Sequence, residues 1–181
     1  MKSIVLTGGT SKRFGSDKSK ALIEGRTLLE VLTENLIDLV IVGPETSIKA
    51  TYVREEPLGA GPVAAIGAGL KEVDTDLVAI FATDMPFAPR VLAQLESALV
   101  NDAALPVDCD GYVQPLAGIY RSEKLREALA TFTTLENRSV KELISKLKID
   151  QVPLVETEFL LDIDTEADLL KAIDLASRLA Q

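Results

Sequence analysis

The chain has 181 residues, 47% of them hydrophobic and 26% charged, and its 19 basic and 28 acidic side chains leave a net charge of −9. That length is most simply one domain, 1–181, burying about two-thirds of its unfolded surface, and the acidic balance argues against broad binding to nucleic acid or anionic membranes. The lack of any histidine excludes Ser-His-Asp triads, histidine general bases and zinc–histidine centres, while a lone Cys109 excludes an internal disulfide framework and a multi-cysteine metal site.

What remains is chemistry by phosphate cradling, Lys/Arg charge and carboxylate-bound hard cations. Ile4, Val5 and Leu6 form an apolar, partly β-branched run that suits a buried strand. It begins almost at Met1, so no signal peptide or membrane-spanning run is expected and the default setting is cytoplasmic. Gly8 and Gly9 then let the backbone turn sharply and approach a ligand without a Cβ in the way. From Lys12 to Arg26 five cationic residues face two acidic ones, a local +3 in an acidic chain. Such a basic island beside a glycine turn calls for an anionic, phosphate-bearing ligand. The spacing of Gly8, Gly9 and Gly15 fits neither a P-loop nor a Gly-x-Gly-x-x-Gly dinucleotide fingerprint.

Further along, Gly25 marks a turn, and Thr27 is a helix N-cap with a helix to about Leu36 that places Leu28, Val31, Leu32 and Leu36 on one side. Leu39 to Val42 reads as a second strand, stopped by Gly43-Pro44, and Tyr52 to Arg54 as a short third one. A loop at Glu55–Pro62 leads into a small-residue helix, Val63 to Val73, suited to close packing on the sheet. Leu77 to Thr83 is the most apolar strand and ends abruptly at Asp84-Met-Pro. Pro89 to Val100 reads as an amphipathic helix, and Leu105–Val107 and Tyr112–Tyr120 as two strands about an Asp110-Gly111 turn. Pro115 would put its strand at an edge or at a bulge. Helices are expected at Glu123–Phe132 and Val140–Leu147, a strand at Val152–Val155, and a closing helix from Thr165 to Leu179 with Thr165 and Asp168 as a capping box. Leu169, Ala172, Ile173, Ala176 and Ala180 form its apolar side. Strand–helix alternation implies a mainly parallel α/β sheet covered on both faces, with one antiparallel part near Tyr112–Tyr120.

Asp84 is the sharpest single residue. Ligands of open α/β sheets bind beyond the carboxyl ends of the strands, and a carboxylate there suits Mg²⁺ shared with nucleotide oxygens. Asp162-Ile-Asp164 puts two carboxylates on one side of an extended segment, free of capping duty if Thr165 caps the last helix.

The opening stretch resembles the nucleotidyltransferase signature Leu-x-Gly-Gly-x-x-x-Arg-φ-Gly-x-Asp-Lys, where φ is apolar. Leu6, Gly8, Gly9, Arg13, Phe14, Gly15, Asp17 and Lys18 match it in register. The MobA-type molybdenum cofactor guanylyltransferases are the members it most resembles. Gly61-Pro62, Asp84-Met-Pro86, Gln114-Pro-Leu-x-x-x-Tyr120 and Asp162-Ile-Asp-Thr165 follow in the family's order. The resemblance implies a three-layer Rossmann-like fold of the nucleotide-diphospho-sugar transferase type. It implies transfer of GMP from GTP to molybdopterin, with Mg²⁺ as cofactor and pyrophosphate released. It also implies a delivery or acceptor enzyme as a possible partner. Leu6, Thr7, Gly8 and Gly9 would line the nucleotide site largely with backbone, Arg13 and Lys18 would neutralise the triphosphate, and Asp84, with Asp162 or Asp164, would hold the metal. Glu55 is favoured over Glu56 as the acidic nucleotide contact beside Gly61, the register being ambiguous by one. The Gln114–Tyr120 strand would border the acceptor cleft, and Arg138-Ser139 precedes a helix where an acceptor phosphate or only solvent could meet it.

Asp162-Ile-Asp departs from the Asn-φ-Asn common in guanylyl transfer, which leaves a cytidylyl- or sugar-nucleotide transferase as the rival. The glycine pair at 8 and 9 leans to guanylyl transfer. A dinucleotide oxidoreductase built on Gly59-x-Gly61 is disfavoured by the adjacent Pro62, and a catalytically silent GTP-binding regulator is the third reading.

Overall fold

The computed structural model describes residues 1–8 and 21–180. Nine strands occur among them: β1 (Lys2–Leu6), β2 (Leu22–Ile23), β3 (Arg26–Thr27), β4 (Leu39–Val42), β5 (Thr51–Val53), β6 (Leu77–Ala82), β7 (Ala103–Val107), β8 (Ala117–Arg121) and β9 (Ile149–Pro153). Six helices join them: α1 (Leu28–Thr33), α2 (Pro62–Leu70), α3 (Leu92–Ala98), α4 (Ser122–Ala130), α5 (Val140–Ile144) and α6 (Glu166–Leu179). Seven strands form one sheet in the order β5-β4-β1-β6-β8-β7-β9, parallel throughout except for β8.

The period-two alternation of each strand divides its side chains between two cores. Ile4, Leu6, Val40, Val42, Val78 and Ile80 face α2, α4 and α5. Val5, Ile41, Ala79 and Phe81 face the opposite side, where α1, α3 and α6 pack. The result is three layers, helices over both faces of a mainly parallel sheet. Helix α2 lies close because it lacks bulk: a Cβ on Gly69 would sit 2.8 Å from Ile4 Cγ2 and 3.1 Å from Val42 Cγ2.

Several elements differ from expectation. Residues 22–27 form a hairpin, with Glu24 and Gly25 at positive φ, rather than a bare turn. Helix α1 stops at Thr33 instead of Leu36, because the chain must reverse through Asp38, at φ 53°, before β4 begins at Leu39. The expected helix from Pro89 is a 3₁₀ turn, Ala88–Val91, followed by the shorter α3. Helix α5 also ends early, at Ile144, and β9 starts three residues before the expected Val152. On α6 the buried side chains are Ala172, Leu175 and Ala176, whereas Ile173 is exposed. The expected Tyr112–Tyr120 strand shrinks to β8, an interior strand, and Pro115 falls in the loop before it. Only a single bridge, Val107 to Val113, extends the pairing beyond.

The remote edge of the sheet is tied by Asp150. Its carboxylate accepts from the N–H groups of Val100 and Asn101 at 2.8 and 2.6 Å and from Asn101 Nδ2 at 2.6 Å. The Asn101 N–H foremost holds this carboxyl below the ordinary aspartate range, against a smaller opposing effect of burial. A carboxyl depressed on folding stabilises above its unfolded pKa of about 3.9 and loses that contribution as pH falls through the folded value. Asp150→Asn is therefore expected to lower stability near neutral pH by about 1 kcal/mol after solvent screening, and to flatten the loss below about pH 4. Urea melts of both proteins from pH 7 to pH 2.5 measure the difference; parallel curves would contradict it.

Candidate active site

Four parallel strands, β5, β4, β1 and β6, end at one edge of the sheet, where Leu6, Thr7, Gly8 and Asp84 follow from β1 and β6. Leu6 is buried at the end of β1, and Gly8 is exposed just beyond it, with no atom of the described residues within 4 Å of where a Cβ would stand. The Thr7 N–H and hydroxyl both donate to Val42 O, each at 3.1 Å, so β1 stays bound to β4 past its last ladder pair. On the other side, Thr83 donates to Leu6 O through its N–H at 3.2 Å and its hydroxyl at 2.9 Å. Thr7 and Thr83 thus tie the end of β1 to the ends of β4 and β6. A hydroxyl residue closing an apolar strand was the available signal for Thr83, though its partner is not readable from sequence.

Asp84 follows directly. One carboxylate oxygen each from Asp84, Asp162 and Asp164 lies within 4.8 Å of the others. Asp84 and Asp164 are half-buried and Asp162 is exposed. Ile163 makes this meeting possible: its side chain is fully buried in the core on the α6 face, and its N–H donates to Asp84 O at 2.9 Å. With Ile163 pointing inward, its two neighbours are turned the other way. Thr165 and Asp168 form the capping box of α6: the Thr165 hydroxyl oxygen accepts from Asp168 N at 3.2 Å and an Asp168 carboxylate oxygen accepts from Thr165 N at 3.1 Å. Three hard oxygen donors from two chain segments form a set that fits a divalent cation such as Mg²⁺ and would not suit a soft metal.

At the far end of the same edge, the loop 54–61 is internally braced. Glu55 Oε1 accepts from Gly59 N at 3.0 Å, so this half-buried carboxylate shapes the turn, while Glu56 is exposed. Gly61, at φ 97°, forms the N-cap of α2 and Pro62 its first turn, where the missing N–H costs nothing. Asn137, itself at φ 56°, donates its N–H to Ala60 O at 2.7 Å and fastens the loop 133–139 onto the Gly61 turn. Neither half of that contact has a local sequence signal. Arg138 lies 5.6 Å over the Phe132 ring and 3.5 Å from Glu142, and Ser139 caps α5. Gln114 donates to Asp108 Oδ2 at 2.6 Å, and the buried Tyr120 hydroxyl donates to Pro115 O at 2.5 Å. Gly9, Arg13 and Lys18 lie outside the described residues.

A cavity of about 360 Å³ opens elsewhere, between α1, the Pro86–Arg90 segment and the end of α6. Its lining includes the Arg26–Glu34 ion pair, 2.9 Å apart, and none of the three clustered carboxylates.

The family model of the MobA-like NTP transferase domain matches residues 3–152, most of the chain. The chain belongs to that family. This MobA-like transferase is 33% identical to a probable molybdenum cofactor guanylyltransferase of Mycobacterium avium, over 92% of its own length and 91% of that protein's. Among solved structures it is similar to the molybdopterin-guanine dinucleotide biosynthesis protein A of Archaeoglobus fulgidus, with a TM-score of 0.78, 25% identity, and coverage of 98% of this chain and 100% of the other. It also shares the fold of the 2-C-methyl-D-erythritol 4-phosphate cytidylyltransferase of Thermus thermophilus, with a TM-score of 0.69, 22% identity, and coverage of 96% and 98%. The MobA-like chain is accordingly a nucleotidyltransferase, and its three-layer sheet is of the nucleotide-diphospho-sugar transferase type. No helix among the described residues is long and apolar enough to cross a membrane.

Proposed function

We propose that this chain, acting as one nucleotidyltransferase domain in the cytoplasm, transfers GMP from GTP to the terminal phosphate of molybdopterin or its molybdenum-loaded form. An oxygen of the acceptor phosphate forms a bond to the α-phosphorus of GTP, the bond from that phosphorus to its bridging oxygen breaks, and pyrophosphate leaves. The acceptor phosphate is already ionised at neutral pH, so no strong general base is required, in keeping with a chain that has no histidine.

The observation that carries this reading is the meeting of Asp84, Asp162 and Asp164 at the carboxyl end of β6. These residues would hold Mg²⁺, which when bound supplies charge neutralisation at the reacting phosphate. Leu6, Thr7 and Gly8 line the nucleotide site at the end of β1, where the Leu6 carbonyl and the Thr7 N–H are taken up by Thr83 and Val42 and hold the turn in place. Gly61, braced by Glu55 and Asn137, presents the start of α2 on the same edge. Arg13 and Lys18 are assigned to the triphosphate and to the departing pyrophosphate. Catalysis is then positioning plus electrostatic stabilisation of developing charge. Lys18→Ala is expected to remove most turnover while leaving the thermal melt unchanged; near-normal turnover would end that assignment.

The Asp-Ile-Asp segment, where guanylyl transferases commonly carry Asn, supports CTP as the alternative donor. Pyrophosphate release measured with Mg²⁺ and molybdopterin, comparing GTP, CTP, ATP and UTP, decides between them. Release with GTP alone supports the proposal, and release with CTP keeps the mechanism and overturns the donor. Mg²⁺-dependent GTP binding without release would mark another acceptor or a silent regulator. A cofactor-delivery or acceptor enzyme is the partner this product calls for.

A further inference from the structure

Tyr112 stands apart from the other aromatic side chains. It is 70% exposed, whereas Phe81, Phe87, Tyr120 and Phe159 are buried and Tyr52 and Phe132 are half-buried. Among the described residues it is the only exposed aromatic, in a chain without tryptophan.

The loop beneath it is fixed. Asp108 Oδ1 accepts from Asp110 N at 3.0 Å and from Tyr112 N at 2.8 Å, while Asp108 Oδ2 accepts from Gln114 Nε2 at 2.6 Å. The Asp108 N–H donates to Tyr112 O at 2.9 Å, and Gly111 N to Asp108 O at 3.1 Å. Both backbone polar groups of Tyr112 are therefore held, and Gly111, at φ 84°, closes the turn. An exposed ring on a pre-set backbone loses little conformational freedom when it meets a ligand.

The strand directions fix the sheet edge from which its loop leaves. Strand β8 is antiparallel to both β6 and β7, so β6 and β7 run the same way. Asp84, after β6, and Tyr112, after β7, therefore leave the same edge of the sheet. The two strands are separated by β8 alone, a lateral distance of roughly 10 Å. A fused heterocycle bearing a phosphate arm and lying along this edge passes both segments.

We infer that Tyr112 is an acceptor-binding residue, a stacking platform for the planar pterin of the acceptor while its phosphate reaches the Asp84 cluster. The inference rests on the proposed acceptor and goes beyond it in giving the ring its own subsite. The aromatic face, not the hydroxyl, makes the contact, because stacking needs only a flat π-surface.

The test is steady-state kinetics of the full chain with GTP, Mg²⁺ and molybdopterin, comparing wild type, Tyr112→Ala and Tyr112→Phe. The side chain is exposed and its backbone bonds survive substitution, so both variants should melt as wild type does. Tyr112→Ala is expected to raise the KM for molybdopterin about tenfold, with the KM for GTP and kcat little changed, and Tyr112→Phe should restore the acceptor KM. An unchanged acceptor KM in Tyr112→Ala overturns the inference and leaves the acceptor assignment standing. Failure of Tyr112→Phe to restore it, or an equal rise in both KM values, also overturns stacking. A wild-type enzyme that never uses molybdopterin removes the acceptor assignment and this inference together.

Discussion

Asp84→Asn is expected to lower kcat about a thousandfold, the scale set by losing one preorganised charge at a phosphoryl centre. The substitution keeps the size and planarity of the side chain and removes one negative charge from a three-carboxylate cluster. It leaves the Asp84 backbone carbonyl in place, so the bond from Ile163 N, 2.9 Å long, persists and the 161–165 segment stays docked. The fold should therefore be retained, which a thermal melt checks. Asp162→Asn and Asp164→Asn remove the same charge from the other arm, and a smaller loss at the exposed Asp162 than at the half-buried Asp164 would rank the two. Pyrophosphate release across a Mg²⁺ titration is the measurement. Wild-type turnover and Mg²⁺ dependence in Asp84→Asn would refute the assignment of this residue.

The second large effect falls on stability. Gly118 is buried in β8, and a Cβ there would collide with Leu105 Cδ2 and lie 3.2 Å from Ala104 O. Leu105 is fully buried and cannot swing into solvent, and the carbonyl belongs to the neighbouring strand. Overpacking of this kind costs typically 1–3 kcal/mol, and Gly118→Val, with two further methyl groups, is expected at about 3 kcal/mol. For a chain of this size that lowers Tm by roughly 6–12 °C. The damage should reach the site, because β8 lies between β6, which leads to Asp84, and β7, which leads to Tyr112. Pairing Gly118→Ala with Leu105→Ala removes the blocking methyl, and the double variant should lose less stability than the two single losses added. Strict additivity in calorimetry would show that the leucine contact is not what makes glycine necessary.

These two residues differ in how far they can be read from sequence. Asp84 is legible because it ends the most apolar strand of the chain, and a carboxylate placed there needs a reason. Gly118 has no such signal: its requirement comes from Leu105 on the adjacent strand, a neighbour set by sheet order. The same division runs through the molecule. Strand–helix alternation, the glycine turn after β1, the Gly61-Pro62 helix start and the Thr165–Asp168 capping box are local patterns of period, backbone freedom and hydrogen bonding, and each is written in a few consecutive residues. They carry the fold class and the family.

Tertiary structure decided the rest, because it depends on contacts between distant segments. Asp162 and Asp164 stand about 80 residues from Asp84 in the chain, and only the burial of Ile163 brings them together. The extended reading of Tyr112–Tyr120 failed for a related reason: Asp108 captures the Tyr112 N–H, and Pro115 offers no N–H, so between the Val107–Val113 bridge and Ala117 the regular ladder is interrupted. Asn137 reaches the Gly61 turn through a backbone bond to Ala60 that any residue type could supply. Composition and motif determined which chemistry this chain has available, and packing determined which carboxylates and turns come to one edge of the sheet.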